Sequence, residues 1–375
     1  MKKFALLFVA VLLICAACAV PTEEKPEETK VTTYVVRFVT NTDAAIGDVT
    51  VEEGKRVQSP ATPENEGYKF EGWYTDASFS MKYNFSTKVR ADLTLYAKWT
   101  LIQQSEVKWA GIRVSSYGMR DSFGEMPDVG TMSGFGQKMA GCYEGSTGTY
   151  LLIVGTMSGD DCSLNFPVSG DYDHIRGDKK KDRYEEYLDK FDEMGYSVWL
   201  QVEPGYADLE TLVELVMSRY RHHSCVKGFG IDVEWHRPIE GVEEGTKLTD
   251  EVAAKVLAKL RTYGSDYTLF VKHWDSSWLP SPMDGLIYVD DWQYLKSNEN
   301  AVNVFSTWAS HFAPCPVMFQ IGYDADEWLW SKFDNPAKEF GQMIADGCYS
   351  GNDVGIIWVD FTLDEAMDRI GTAGE

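Results

Sequence analysis

Val226-Lys227-Gly228-Phe229-Gly230-Ile231-Asp232-Val233-Glu234-Trp235-His236 is the stretch that decides how the larger part of this chain folds. It is rich in β-branched and aromatic residues, and two glycines precede its carboxylates. It also follows the end of a helical pattern, and together these features predict a short strand. Alternation along a strand places Gly228, Gly230, Asp232 and Glu234 on one face, and Phe229, Ile231, Val233 and Trp235 on the other. One face is small and then acidic, the other bulky and apolar. A barrel strand has this pattern when its outer side packs on helices and its inner side ends in functional groups. Two carboxylates about 7 Å apart on a strand face are costly to bury unless they are paired or used. Carboxylates of tuned acidity gather at active sites, so Asp232 and Glu234 are expected to be functional. The structural alternative is an ion pair with an arginine or lysine on the next strand.

The same texture repeats on both sides. Strands are predicted at 107–115, 149–155 and 196–204 before this stretch, and at 267–274, 285–292, 316–323 and 353–361 after it. Helical spacing joins Tyr184, Tyr187, Leu188, Phe191 and Met194, which Gly195 stops, and then Leu209, Leu212, Val213, Val216 and Tyr220. Thr249 caps a helix to residue 263, 301–312 suits another, and Asn335-Pro336 opens a further one. Thr362-Leu363-Asp364-Glu365 reads as a capping box for the last. The first helix, around 136–143, and the fifth link are weakly marked. Eight strands with mostly helical links over 106–375 predict a (β/α)8 TIM barrel. An open doubly wound sheet would not need that count.

Barrel chemistry collects at the C-terminal ends of strands, and here those ends hold acids and aromatic residues. Glu234, Asp232, Glu203 and Asp290 are the candidate catalytic groups. Tyr288, Trp235, His273, Trp274, Trp292, Gln320, Trp358 and Asp360 are candidate substrate contacts. The chain has no GxSxG elbow, HExxH, Walker loop or GxGxxG after a strand. Carboxylates with aromatic platforms are the equipment for breaking glycosidic bonds. An acid protonates the leaving oxygen while a second carboxylate, or the sugar's own acetamido group, stabilises the oxocarbenium-like centre. No cofactor is called for.

A net charge of −23 argues against nucleic acid and anionic membrane surfaces as partners, since both require basic patches. Cys142, Cys162, Cys225, Cys315 and Cys348 show neither CxxC nor His–Cys spacing, which speaks against zinc, and no metal is assigned. Upstream, Met1-Lys2-Lys3 precedes an apolar run over 4–14 that is too short for a comfortable membrane span, and Ala16-Ala17 leads into Cys18. Residues 18–30 are polar and proline-containing, the composition of a disordered tether. Short strands and turns occupy 31–100.

Several of these stretches resemble known families. The N-terminus resembles a bacterial lipoprotein signal spanning 1–17, although Cys15 stands where that pattern prefers leucine. The resemblance implies cleavage before Cys18, acylation of its thiol and a lipid anchor in the bacterial cell envelope. Glu66-Gly67-Tyr68-Lys69-Phe70-Glu71-Gly72-Trp73-Tyr74-Thr75-Asp76 and Asp92-Leu93-Thr94-Leu95-Tyr96-Ala97-Lys98-Trp99 resemble the Listeria–Bacteroides, or internalin B-type, repeat. That resemblance implies a small β-grasp-like module of bacterial surface proteins over 31–100, with Trp73 and Trp99 in its core. The opening stretch is similar to the DGxDxDxE signature of chitinase-like glycoside hydrolases of family eighteen, with Lys227 and Gly230 replacing the two earlier aspartates. Gly355-Ile356-Ile357-Trp358 is similar to the final strand of that family. These likenesses imply Glu234 as general acid, Asp232 orienting an acetamido group, Tyr288 or Asp290 assisting, and Trp358 as pocket base. Gly111-Ile112-Arg113-Val114-Ser115 resembles the GIDVS first strand of the lysozyme-like family twenty-five, with Arg113 in place of its catalytic aspartate. The expected protein is an exported, surface-anchored glycoside hydrolase. Its alternatives are a catalytically inactive glycan- or ligand-binding lipoprotein, and a surface structural protein whose working part is the repeat.

Overall fold

The computed structural model describes residues 31–370 apart from 43, 66, 102, 103, 179, 180 and 240–244. The signal segment, Cys18 and the tether lie outside the described residues. The chain divides into two compact units, one ending at Thr100 and the other beginning at Leu101.

In the first unit, β1 (Thr33–Val39), β2 (Val49–Glu52), β3 (Tyr68–Tyr74) and β4 (Leu93–Leu101) form one sheet in the order β2-β1-β4-β3. β1 runs antiparallel to β2 and parallel to β4. Val36, Phe38, Val51, Trp73 and Leu95 make the core, where the Phe38 and Trp73 rings meet edge to face at 4.9 Å. Trp99 is half-buried against this core, and its Nε1 donates to the Thr40 carbonyl at 2.6 Å. Both tryptophans are structural. Asp76 closes the turn after β3: its carboxylate accepts from the Ser78 hydroxyl and from the backbone N–H groups of Ser78, Ser80 and Met81. Those donors, the Ser78 hydroxyl foremost, hold the acid well below the usual range.

Among its described residues the second unit contains ten strands: β5 (Glu106–Val114), β6 (Thr147–Ser158), β7 (Asp161–Leu164), β8 (Ile175–Gly177), β9 (Ser197–Val202), β10 (Val226–Asp232), β11 (Thr268–Lys272), β12 (Leu286–Asp290), β13 (Val317–Ile321) and β14 (Asp353–Trp358). Eight of them close into a parallel barrel, β5-β6-β9-β10-β11-β12-β13-β14, with β14 pairing back onto β5. The expected barrel is therefore present, strand for strand. β7 and β8 were not anticipated. β6 outruns its neighbours, turns at Gly159 (φ +60°) and pairs antiparallel with β7, which carries β8 alongside it. A glycine in that left-handed region is the hairpin signal that Ser158-Gly159-Asp160 offers.

The helices Glu185–Met194, Leu209–Tyr220, Asp250–Arg261, Asn298–Phe312 and Pro336–Asp346 lie where periodicity puts them. Side-chain oxygens of Asp208, Thr249, Ser297 and Asn335 cap four of them. The weakly marked first link holds two helices, Ser116–Phe123 and Val129–Gly141. The final helix, Leu363–Arg369, lacks the expected capping box. Thr362 instead donates to the Gly322 carbonyl and accepts from Trp358 Nε1.

The glycines of the opening stretch make room inside the barrel. A Cβ on Gly230 would lie 2.1 Å from the Phe270 ring, and one on Gly228 would lie 1.9 Å from the Thr268 carbonyl oxygen. Phe270 and Trp199 fill that space, together with Trp109, Leu151, Ile287, Val289, Met318 and Ile357. This is a packed interior rather than a pore. Phe229, Ile231 and Val233 face the helices in a separate outer core. The five barrel cysteines are buried and free.

Candidate active site at the barrel mouth

β10 ends at Asp232, and Val233–Trp235 make a single 3-10 turn. Glu234 is therefore not the next inward residue of a continuing strand, as alternation alone predicts. The turn lifts it, leaving its side chain 28% exposed against 3% for Asp232. Asp232 Oδ2 accepts from Gln201 Nε2 at 3.0 Å and from Lys272 Nζ at 3.0 Å. Lys272 is the residue paired with Asp232 on the next strand, so for Asp232 the ion pair is real. The same ammonium donates to Asp291 and lies 3.8 Å from Glu234 Oε2. Across the mouth, Arg113 Nε donates to Asp360 at 3.1 Å, and Asp360 also accepts from the Ser115 N–H. Tyr323 donates to Gln320 Oε1 at 3.0 Å. Glu203 Oε2 accepts from the Met157 N–H at 2.9 Å, at the start of the β6–β7 extension.

Burial raises the pKa of Glu234, with Lys272 opposing it and Asp291 and Glu203 adding to it. Burial likewise raises Asp232, far above the usual carboxylate range, and Glu203. Burial works against the charge on Lys272, but Asp232, Asp291 and Glu234 outweigh it and hold the ammonium well above the ordinary lysine range. Three carboxylates around one ammonium would carry a net −2 if all were ionised (3 − 1), so the cluster favours keeping a proton. Glu234, half-exposed, is the member able to pass it to a bound molecule. Asp232 Oδ1, Asp291 Oδ1, Gln201 Oε1 and Gln320 Nε2 are buried without a hydrogen-bond partner among the described residues. Such atoms are left for a ligand or water to satisfy.

Other expected residues fall elsewhere. Ile287 and Val289 are the inward residues of β12, so Tyr288 and Asp290 point outward. The Tyr288 ring stacks on Phe312 at 3.8 Å and its hydroxyl donates to the Ser281 carbonyl, while Asp290 accepts from the Trp292 N–H. Asp291, one residue on, is the acid that reaches Lys272. Trp358 is not a pocket floor: it is fully buried in the outer core, edge to face with Trp330 at 5.3 Å. Asp360 is tied up by Arg113. His273 is fully buried, stacked between Trp274 and Trp278, with Nδ1 accepting from the Asp275 N–H. Trp235, Trp274 and Trp292 are half-buried on the segments following β10, β11 and β12, and the last two meet at 5.7 Å. Lys272, Arg113, Asp291 and Tyr323 are the mouth residues that the candidate set omits. Thr268, Phe270 and Lys272 share one strand face, so a lysine in the register of an interior phenylalanine was the available signal.

The fold and the site together define an α/β barrel with a charged, aromatic-flanked mouth, following a small β module in the sequence. Residues 34–98 match the Listeria-Bacteroides repeat domain. A putative Gly-rich membrane protein of Evansella cellulosilytica is 39% identical over 69 residues, which is 18% of this chain and 8% of that protein. Internalin H of Listeria monocytogenes is 38% identical over 65 residues, 17% of this chain and 12% of its own length. The chain thus spans about a tenth of the curated relatives it matches. Among solved structures, a β-glucuronidase of Parabacteroides merdae is similar at a TM-score of 0.41 and 10% identity, over 72% of this chain and 35% of that one. A GH2 β-galacturonidase from Eisenbergiella tayi gives 0.37 and 10%, over 73% and 48%. A DUF72 family protein from Enterococcus faecalis gives 0.37 and 12%, over 69% and 91%.

Proposed function

We propose that the barrel mouth takes a glycan and that Glu234 acts as general acid on a glycosidic oxygen. The observation that carries this reading is the contrast between two neighbouring acids. Asp232 is sealed and paired, while Glu234 is half-exposed and its pKa is raised by burial beside Lys272. An acid whose pKa is raised keeps its proton to higher pH and can protonate the leaving oxygen as the bond to the anomeric carbon breaks. Water completes the cleavage, and its proton passes to a second carboxylate. Glu203, partly buried and accepting from the Met157 N–H, takes that role in its ionised form. Asp232 is the partner of Glu234 through Lys272, positioning the ammonium that both acids share. Trp235, Trp274 and Trp292 offer apolar faces on which sugar rings stack.

The test is Glu234→Gln, assayed on aryl glycosides and N-acetylated polysaccharides. Loss of a general acid lowers turnover by about 10²–10⁴-fold, with the circular dichroism of the native barrel retained. A variant as fast as the parent rejects the assignment.

A second reading is a barrel that binds glycan without cleaving it. It is favoured by Arg113 and Lys272, which occupy Asp360 and Asp232. Glycan-array binding with no released product would select it. The repeat module, and the membrane-protein and internalin names of its relatives, support a place in the cell envelope. Cys18 is proposed as the lipid-bearing residue.

A further inference from the structure

Away from the mouth, the helix Leu209–Tyr220 ends against the start of Glu185–Met194. Tyr220 donates to Asp182 Oδ1 at 2.9 Å, and Arg219 reaches both Asp182 and Glu185. This packing carries His222 and His223, two and three residues past the helix end, onto Glu185. Arg219 takes Glu185 Oε2 at 3.0 Å. The other oxygen, Oε1, lies 3.0 Å from His222 Nε2 and 3.6 Å from His223 Nε2.

His223 is the informative member. Its side chain is 1% exposed, and Nδ1 lies 2.9 Å from Asp192 Oδ2. Asp192 is itself fixed by the Ser224 hydroxyl and the Cys225 N–H, so it serves as acceptor for Nδ1–H. A neutral imidazole protonated at Nδ1 carries its lone pair on Nε2. That Nε2 is buried with no hydrogen-bond partner among the described residues, and it faces a carboxylate oxygen. Two acceptors turned toward each other repel unless a proton or a metal ion lies between them, and a metal ion is the occupant that also engages His222 Nε2 on the same carboxylate oxygen.

We propose that Glu185 Oε1, His222 Nε2 and His223 Nε2 bind one divalent first-row transition ion of the Zn2+ class. The three ligand atoms lie within 4.8 Å of one another. Bonds of 2.0–2.1 Å in a tetrahedron place neighbouring ligands about 3.4 Å apart, and the separations of 3.0 and 3.6 Å fall on either side of that value. Two imidazoles with one carboxylate select zinc-like ions over calcium or magnesium. Asp192 behind His223 is the carboxylate–histidine support that metal sites use to fix tautomer and ring orientation. His222 is 55% exposed, which gives the ion a way in and leaves a coordination position facing solvent. The bound ion ties the start of one outer helix to the end of the next. It is a separate site from the barrel mouth and does not depend on the reading of Glu234. It also departs from the cysteine-based expectation of no metal, which weighed thiol spacing and not this histidine pair.

Titration of the untagged full-length chain with ZnCl2 in a calorimeter tests the site, with a thermal melt with and without the ion alongside. The parent protein is expected to bind one ion per chain and to melt at higher temperature when loaded. Co2+ in the same site should give the visible absorption of a tetrahedral complex. His222→Ala, a surface change, should leave the metal-free melt in place and lower affinity by at least tenfold. Asp192→Asn should weaken binding by about 10–100-fold. Absence of binding to the parent protein, or equal binding and equal Co2+ spectra in His222→Ala, overturns the proposal.

Discussion

Lys272→Met removes the ammonium at the centre of the barrel mouth and keeps an unbranched side chain of similar reach. In the parent protein that ammonium lies 3.0 Å from Asp232, donates to Asp291 and stands 3.8 Å from Glu234. The side chains of Lys272 and Asp232 are each 3% exposed, and that of Asp291 is 6% exposed. Deleting one partner of a buried pair costs about 3–5 kcal/mol, because the other charge is left in a poor dielectric without compensation. Two sealed carboxylates lose the same cation here, which places the expected cost in the upper part of that range near neutrality. The loss is pH-dependent, and its sign follows from Asp232. Burial already raises that acid in the folded state, and Lys272 is the main influence lowering it. Without Lys272 the folded pKa rises further above an unfolded value of about 3.9. The folded state then holds more protons than the unfolded one, so stability falls as pH rises, by up to about 1.4 kcal/mol per pH unit for each such proton. The deficit is therefore smallest near pH 5 and largest near pH 8. Urea unfolding at both pH values, followed by near-UV circular dichroism, reads it out; most tryptophans, including Trp109, Trp199 and Trp274, lie in the barrel. A deficit under about 1 kcal/mol at pH 8, well below the range for a broken buried pair, refutes the reasoning. So does a deficit equal at both pH values.

Two further expectations concern the strand interior and the anchor. Gly230→Ala puts a methyl group 2.1 Å from the buried Phe270 ring and should cost about 3 kcal/mol, the upper end for overpacking. Phe270→Leu in the same chain should return part of that loss, and a double-mutant cycle showing no coupling counts against the contact. On the proposed acylation of Cys18, Cys18→Ser should move the protein from the membrane fraction to the soluble fraction of a bacterial expression host and abolish fatty-acid labelling. Unchanged labelling rejects Cys18 as the acylated residue.

The barrel was legible because its strands are buried on both faces. Runs such as Leu286-Ile287-Tyr288-Val289 and Val317-Met318-Phe319 have no polar interruption, and capped helices separate them. The same property hid the site. A strand apolar on both faces does not say which face is interior: Tyr288 and Asp290 are site candidates by position at the strand end, but Ile287 and Val289 occupy the inner side. A slip of one residue exchanges every side chain between faces. That exchange is the difference between Asp290, bound to its own loop, and Asp291, bound to Lys272. Glu234 was misplaced for another reason. Alternation holds only while backbone pairing lasts, and Asp232 opposite Lys272 is the last paired position of β10. No side chain marks that end.

The pairing at that last position also bears on how the two acids divide their work. A strand carrying Asp232 and Glu234 on one face would have presented two equivalent carboxylates to the same ammonium. The 3-10 turn breaks that equivalence. It leaves one acid buried at 3.0 Å from Lys272 and the other half-exposed at 3.8 Å. Asymmetry of this kind lets neighbouring carboxylates take different protonation states, the requirement for acid and partner roles in one site. Arg113 and Asp360 add a second pair across the seam where β14 returns to β5, and Asp360 also holds the Ser115 N–H. Asp360 therefore closes the barrel rather than facing substrate. Of the acids that act on Lys272, Glu234 and Glu203 are partly exposed, so the two readings of the barrel divide on what those two residues do.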